Sequence, residues 1–93
     1  MSEKRYDLPE GHYASVRRFS LNDVTVVTED PDVRRYIDVV NDELGEDGRF
    51  IVRFSGIFTE NRVMAESLSE DLCEELISCF ISLLEEKGYL YQD

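Results

Sequence analysis

The sequence predicts an α+β domain in two layers, in which two helices cover one face of a mainly antiparallel, four-stranded sheet. Two stretches of the chain repeat apolar residues at helical spacing, so that each would present one apolar face. Shorter stretches are rich in strand-forming residues, and the clearest of them alternates apolar and charged residues. The predicted order is β-β-α-β-β-α, which is typical of helices packed on one side of an antiparallel sheet.

The chain begins with a predicted flexible leader, residues 1–11, and a single domain follows over residues 12–93. The leader is polar and shows no periodicity. Residues 12–19 and residues 24–28 are rich in strand formers, and we predict them to be the first two strands, with a hairpin as one way of joining them.

The first helix is predicted over residues 31–44. Asp30 is a favourable N-cap because its carboxylate can accept hydrogen bonds from free amides, and Pro31 suits a position that needs no amide hydrogen. Gly45 provides a left-handed stop. The apolar face of this helix consists of Val33, Ile37, Val40 and Leu44.

The third and fourth strands are predicted over residues 49–54 and 62–66, with a connecting loop between them. The pair Asp47-Gly48 is a turn signal before the first of these strands. Side chains alternate between the two faces of a strand. One strand therefore has Arg49, Ile51 and Arg53 opposite Phe50, Val52 and Phe54, and the other has Arg62, Met64 and Glu66 opposite Val63 and Ala65.

The second helix is predicted to begin at a capping box formed by Ser67 and Glu70. It should end at Gly88, before a short apolar tail that packs against the core or adds a brief edge strand. Leu76 and Phe80 are predicted core residues. The apolar stripe of this helix consists of Leu72, Cys73, Leu76, Ile77, Phe80, Leu83 and Leu84.

The charge of the chain restricts its partners. The formal net charge is −11, from 21 acidic and 10 basic residues, and such a surface repels nucleic acid and anionic membranes alike. No apolar stretch approaches the roughly 20 residues of a membrane span, and the N-terminus has no apolar signal core, so we expect a cytoplasmic protein. Cys73 and Cys79 point in different directions on the predicted helix and are expected to be reduced core residues.

Arg53, Ser55 and Gly56 stand at the end of a predicted strand, and Arg62 opens the next one. Such a loop combines a hydroxyl group, a glycine amide that an anion can approach, and two guanidinium groups able to bind phosphate oxygens in bidentate fashion. Spacing alone leaves an alternative open, in which Arg53 and Arg62 pair with nearby acidic residues across the strands.

A longer run of residues surrounds this loop. It reads Asn41-Asp42-Glu43-Leu44-Gly45, then Gly48-Arg49-Phe50-Ile51-Val52-Arg53-Phe54-Ser55-Gly56, then Arg62-Val63-Met64-Ala65-Glu66. The run resembles the C-terminal domain of phosphoglucosamine mutases and related phosphohexomutases. In that family a helix ending in E-L-G leads to G-R-V-L-V-R-P-S-G-T-E-P-x-x-R-V-M-V-E. The resemblance extends over about residues 31–88, with helix, strand, loop, strand and helix in the same order.

The resemblance implies a phosphosugar-binding loop. In the family, the R-x-S-G-T-E-P loop and the arginine after it hold the phosphate of the sugar substrate. By position, Arg53, Ser55, Gly56 and Arg62 match these residues. We therefore expect these four residues to bind phosphate.

The loop also departs from the family pattern, because the T-E-P stretch is replaced by Ile57-Phe58-Thr59. The replacement removes a threonine hydroxyl that would donate to phosphate, although Thr59 or Asn61 could compensate in part. It also places two apolar side chains at the loop tip. We therefore expect weak phosphate binding, and a second hypothesis makes Ile57, Phe58 and Thr59 an interface for a protein partner.

The remaining chemistry of the family depends on a phosphorylated serine, an aspartate-rich magnesium loop and a sugar-binding loop that lie on other domains. This sequence has no D-x-D-x-D segment, and its serines outside the loop lack the nucleophile context. Phosphoryl transfer depends on positioning and on metal-assisted charge neutralisation, so we expect no catalysis by this chain alone, no metal and no cofactor. The single histidine, His12, is expected at the surface.

Three functions agree with this interpretation. The first is a standalone binding module with weak phosphosugar or phosphate affinity. The second is an interaction module that binds a protein partner or a second copy. The third is a detached subunit of a split phosphohexomutase.

Overall fold

The computed structural model describes residues 10–55 and 60–91. The predicted leader therefore lies almost wholly outside the described residues and stays a prediction. The predicted α+β class is confirmed. Its elements are β1 (Tyr13–Phe19), α1 (Val24–Thr28), α2 (Pro31–Leu44), a 3-10 turn (Gly45–Asp47), β2 (Arg49–Arg53), β3 (Asn61–Ser67) and α3 (Glu70–Glu86).

The described strands form one antiparallel sheet of three strands in the order β1-β3-β2. The chain leaves β1 at one edge, crosses through α1 and α2 to β2 at the other edge, and returns to β3 in the middle. The register pairs Met64 of β3 with Val16 of β1 on one side and with Ile51 of β2 on the other. Residues in such a row across a sheet share one face.

The predicted second strand is wrong, because Val24–Thr28 is the short helix α1. The Asp23 carboxylate caps it, accepting hydrogen bonds from the amides of Thr25 at 3.1 Å and Val26 at 3.4 Å. Val27 is fully buried in the core. Strand preference mostly reflects packing on a half-buried sheet, so the cap and the burial of Val27 outweigh it here. The described sheet therefore has three strands where four were predicted.

Both long helices lie on one face of the sheet, as predicted, since α3 packs against β1 and β3 while α2 packs against β2 and α3. Phe80 is at the centre of this core, with ring centroids 5.9 Å from Phe19, 5.9 Å from Tyr36 and 5.6 Å from Phe50. Leu76 is half-buried and packs against the core from its margin. The core also contains Val33, Val40, Leu44, Val63, Ala65, Cys73, Ile77 and Leu84.

The N-terminus of α3 differs from the predicted capping box. Ser69 is the N-cap, and its hydroxyl oxygen accepts a hydrogen bond from the amide of Leu72 at 3.2 Å. Ser67 is instead the last residue of β3, because pairing with β1 continues to that position. Its hydroxyl group accepts from the Ser69 amide at 3.1 Å and donates to the Ser69 carbonyl at 2.8 Å. Ser67 therefore fixes the link between β3 and α3.

The two cysteines occupy different sides of α3. Cys73 is buried as predicted, with its sulfur 3.3 Å from the Ser67 hydroxyl oxygen. Cys79 is exposed, so its prediction as a core residue is wrong. Six residues advance a helix by about 600°, which turns the second side chain away from the core.

The C-terminal tail packs back onto the domain. Leu90 forms an isolated antiparallel bridge with Leu21, and the amide of Asn22 donates to the Tyr89 carbonyl at 2.9 Å. The prediction that the tail packs against the core is confirmed, since Tyr89 and Leu90 contact it, and a single bridge stands where the alternative placed an edge strand. No helix in the described ranges is both long and apolar enough to cross a membrane.

Asp30 links this tail to the start of α2. Its carboxylate accepts hydrogen bonds from the amides of Asp32 at 2.7 Å and Val33 at 3.2 Å. The same carboxylate accepts from the Tyr89 hydroxyl group and lies 3.3 Å from the Lys87 ammonium nitrogen. The hydrogen bond from Tyr89, together with these other donors, lowers the pKa of Asp30 to about 2.

We expect the domain to lose stability as the pH falls from about 4 towards 2. The pKa of Asp30 drops from its ordinary value of 3.8 to about 2 on folding, so its contribution is present above pH 3.8 and is lost as the pH falls through 2. Urea unfolding at pH 7, 4 and 2.5 measures this loss. Tyr89→Phe removes the main donor and should reduce the acid-induced loss, whereas Tyr13→Phe, at an exposed tyrosine, should not. Identical pH profiles for the wild type and Tyr89→Phe would contradict this assignment.

Candidate functional site

The sheet face opposite the helices, here called the outer face, concentrates basic residues. Neither long helix covers it, and Val16 and Ile51 at its centre are 53% and 42% exposed. The alternation and register of the strands bring four arginines to this face, from a chain that has only 10 basic residues. These are Arg18 on β1, Arg49 and Arg53 on β2, and Arg62 on β3.

Three of these arginines lie in one row across the sheet. Arg62 on the central strand is the register partner of Arg53 on one side and of Arg18 on the other. Like charges directly opposite each other on neighbouring strands destabilise a sheet. Within residues 10–55 and 60–91, none of the three guanidinium groups forms an ion pair. The alternative of cross-strand pairing with acidic residues is therefore not found in this part of the chain.

The outer face contains a shallow pocket of about 260 Å³. Arg53 and Arg62 line one end, and Arg49 lines the other, four residues earlier on β2. The row Val16, Met64 and Ile51 forms an apolar floor between them. The pocket therefore joins a strongly basic end to an apolar surface, which suits a small anionic ligand with a less polar body.

A buried carboxylate supports Arg49. Glu66 is buried on the outer face, and its Oε1 accepts a hydrogen bond from Arg49 Nε at 2.8 Å. Its other oxygen, Oε2, accepts a hydrogen bond from His12 Nδ1 at 2.9 Å. His12 was expected at the surface, but its side chain is only 13% exposed. Arg49 and His12 thus each bind one oxygen of the Glu66 carboxylate.

The strand β2 is held at both of its sides. The Asn41 side chain on α2 donates to the Phe50 carbonyl at 2.9 Å and accepts from the Phe50 amide at 2.9 Å, in place of a further strand. At the start of β2, Gly48 lies against the backbone of Glu66 so closely that no side chain fits there. These contacts fix the register of β2 and hence the positions of Arg49 and Arg53.

The start of the predicted phosphate loop is tied to the sheet by Asn61. The Ser55 amide donates to Asn61 Oδ1 at 3.3 Å, and Asn61 Nδ2 donates to the Phe19 carbonyl at 3.3 Å. Asn61 is fully buried. Its side chain therefore links the backbone of Ser55, at the start of the loop, to the end of β1. The expectation that Thr59 or Asn61 compensates for the lost threonine hydroxyl stays a prediction.

Of the predicted site residues, the structure describes Arg53, Ser55 and Arg62. Gly56 lies outside the described residues, as do Ile57, Phe58 and Thr59, so the interface hypothesis for these three stays a prediction. Alternation along the predicted strand placed Arg49 on the same face as Arg53, but Arg49 was not predicted as a site residue. Arg18 was missed altogether, because its place on this face depends on the pairing of β1 with β3.

Comparison with curated proteins finds phosphoglucosamine mutases. The chain is 35% identical over 74 residues to the enzyme of Lachnospira eligens, which is 80% of this chain and 16% of that protein. It is 35% identical over 68 residues to the enzyme of Lachnoclostridium phytofermentans, covering 73% of this chain and 15% of that protein. It is 43% identical over 51 residues to the enzyme of Bacillus licheniformis, covering 55% of this chain and 11% of that protein.

The match thus covers most of this chain but no more than 16% of the length of these relatives. No family model matches the chain. The α+β fold and the pairing of Arg53 with Arg62 agree with the resemblance of the motif. On this similarity, the chain is a domain related to the phosphohexomutases.

Proposed function

We propose that this chain binds the phosphate group of a phosphorylated sugar at the outer-face pocket. Arg53 and Arg62 are the charged donors. By the resemblance of the motif, Ser55 and Gly56 are expected to add polar groups from the loop that follows β2. The observation that carries the proposal is the direct register pairing of Arg53 with Arg62, without an ion pair to either among the described residues. A phosphate between two guanidinium groups would relieve their repulsion and accept charge-assisted hydrogen bonds from both.

The relatives suggest the class of ligand. Their name, phosphoglucosamine mutase, states an action on phosphorylated glucosamine. The pocket is compatible with such a ligand, because its basic end suits a phosphate group and its apolar floor suits one face of a sugar ring. Glucosamine 6-phosphate is therefore the first ligand to test.

The affinity should be weak. The arginine side chains are exposed, so water and salt screen their charge, and the net charge of −11 opposes any anion. A dissociation constant in the millimolar range corresponds to only about 4 kcal/mol of binding free energy.

We also propose that the chain alone binds without turnover. The matched segment spans at most 16% of the relatives, and phosphoryl transfer needs a metal ion and precise positioning in addition to phosphate binding. A detached subunit of a split enzyme would have the same pocket and would show activity only with a second chain.

The test is an NMR titration with glucosamine 6-phosphate at low salt, in which amide shifts report binding. We expect saturable shifts with a millimolar dissociation constant in the wild type. Arg53→Gln removes one of the two facing charges and should weaken binding at least tenfold, as expected when a charge-assisted hydrogen bond of about 1.5–3 kcal/mol is lost. Arg35→Gln removes the same charge from an exposed position on α2 and should leave the affinity within about twofold.

Two results would contradict the proposal. Equal weakening by Arg53→Gln and Arg35→Gln would mean that only the overall charge of the chain matters. Interconversion of glucosamine phosphates by the purified chain with magnesium, free of contaminating mutase, would contradict binding without turnover.

A further inference from the structure

Glu66 holds Arg49 in place at the end of the pocket away from Arg53 and Arg62. It lies on the central strand, its side chain is only 7% exposed, and each of its carboxylate oxygens has a partner. The partners come from different parts of the chain, since His12 precedes β1 and Arg49 begins β2. A buried carboxylate held at both oxygens has little freedom to turn, so it also holds the Arg49 guanidinium in one orientation.

The Arg49 guanidinium group has N–H donors that no described residue uses. Only its Nε is used by Glu66, and in the part of the chain that the structure describes its guanidinium makes no other hydrogen bond. A guanidinium group carries five N–H donors, so the N–H groups on both terminal nitrogens remain available. Arg49 also lines the pocket that Arg53 and Arg62 line.

The two ends of the pocket differ in charge. Arg53 and Arg62 carry positive charge that no described carboxylate neutralises, whereas the charge of Arg49 is balanced by Glu66 at 2.8 Å. A neutralised arginine is a poor site for a second phosphate, but it still presents oriented donors. Such donors match the uncharged oxygen atoms of sugar hydroxyl groups.

We propose that Arg49, positioned by Glu66 and His12, is a specificity-determining residue that hydrogen-bonds the hydroxyl groups of the ligand. The proposal rests on the proposed function, because Arg53 and Arg62 must first bind the phosphate. It assigns the site to a monophosphorylated, polyhydroxylated ligand that lies along β2 from Arg53 towards Arg49. Inorganic phosphate would use only the first end of the pocket, and a phosphosugar would use both.

The test compares inorganic phosphate with glucosamine 6-phosphate in the same NMR titration. We expect the wild type to bind the phosphosugar roughly threefold to tenfold more tightly than phosphate, the effect of about one net hydrogen bond. Arg49→Lys keeps a cation beside Glu66 but removes the spare guanidinium donors. It should bring the ratio of the two dissociation constants close to one, with the phosphate affinity and the unfolding midpoint nearly unchanged. Arg35→Lys is the matched control and should preserve the ratio.

The outcomes separate the two proposals. If the wild type binds phosphate and phosphosugar equally, or if Arg49→Lys weakens both to the same extent, the role of Arg49 is wrong while phosphate binding by Arg53 and Arg62 stands. A preference for the phosphosugar that survives Arg49→Lys would likewise overturn the role of Arg49. If neither ligand binds the wild type, the proposed function fails and the role of Arg49 fails with it.

Discussion

Phe80→Ala should lower the free energy of unfolding by roughly 3–5 kcal/mol, a large share of the stability of a small domain. Phe80 is fully buried, and its ring is surrounded by the rings of Phe19, Tyr36 and Phe50. These three rings come from β1, α2 and β2, so the substitution opens a cavity where the sheet meets both long helices. Urea or thermal unfolding followed by circular dichroism measures the loss.

The control for this prediction is Cys79→Ala, at the neighbouring exposed position on α3. A surface substitution of this kind should change stability by no more than about 0.5 kcal/mol. A loss below about 1 kcal/mol for Phe80→Ala would mean that α3 does not pack on the sheet through this residue.

Gly48→Ala should be destabilising by about 3 kcal/mol or more, although it adds a single methyl group. The added Cβ would overlap the carbonyl oxygen of Glu66 and lie 3.1 Å from the Cα of Ser67. Both atoms belong to the backbone of the central strand, which cannot move aside without breaking its pairing with β1 or β2. Chemical denaturation of the purified variant measures the effect.

Gly45→Ala is the matched control, because its Cβ would meet no atom within 4 Å. Gly45 has a φ of 59° and a ψ of −132°, a conformation that favours glycine, so alanine there costs backbone strain alone, about 1–3 kcal/mol. Gly48→Ala should therefore be clearly the more damaging of the two substitutions. The opposite order would show that β2 and β3 are less closely paired at this point than the structure has them.

The sequence predicts an element well where its signals are local. Residues 31–44 were predicted as a helix and form α2 with the same bounds, because Asp30 with Pro31 and Gly45 mark its two ends. The short helix α1 could not be predicted in this way. Its residues are mostly β-branched, and the burial of Val27 that favours the helix becomes apparent only in the folded domain.

The residues of the candidate site also fall into two groups, those predicted from local signals and those that come together only in the folded domain. Arg53 and Arg62 were found from the motif and from alternation along their strands. The row that adds Arg18 depends on the register of β1 against β3, two strands more than 40 residues apart in the chain. The grouping of His12 with Glu66 depends on the same long-range pairing, which no local pattern specifies.

Arg53 and Arg62 on the outer face are proposed to hold the phosphate of a phosphorylated sugar. The decisive measurement is the map of amide shifts in the glucosamine 6-phosphate titration. We expect the largest shifts at Arg53, Ser55, Gly56 and Arg62 and weaker shifts that extend to Arg49, and Arg53→Gln should suppress them all. Shifts confined to the surface of α2 or α3, or no shift at tens of millimolar ligand, which is about ten times the expected dissociation constant, would contradict the proposal.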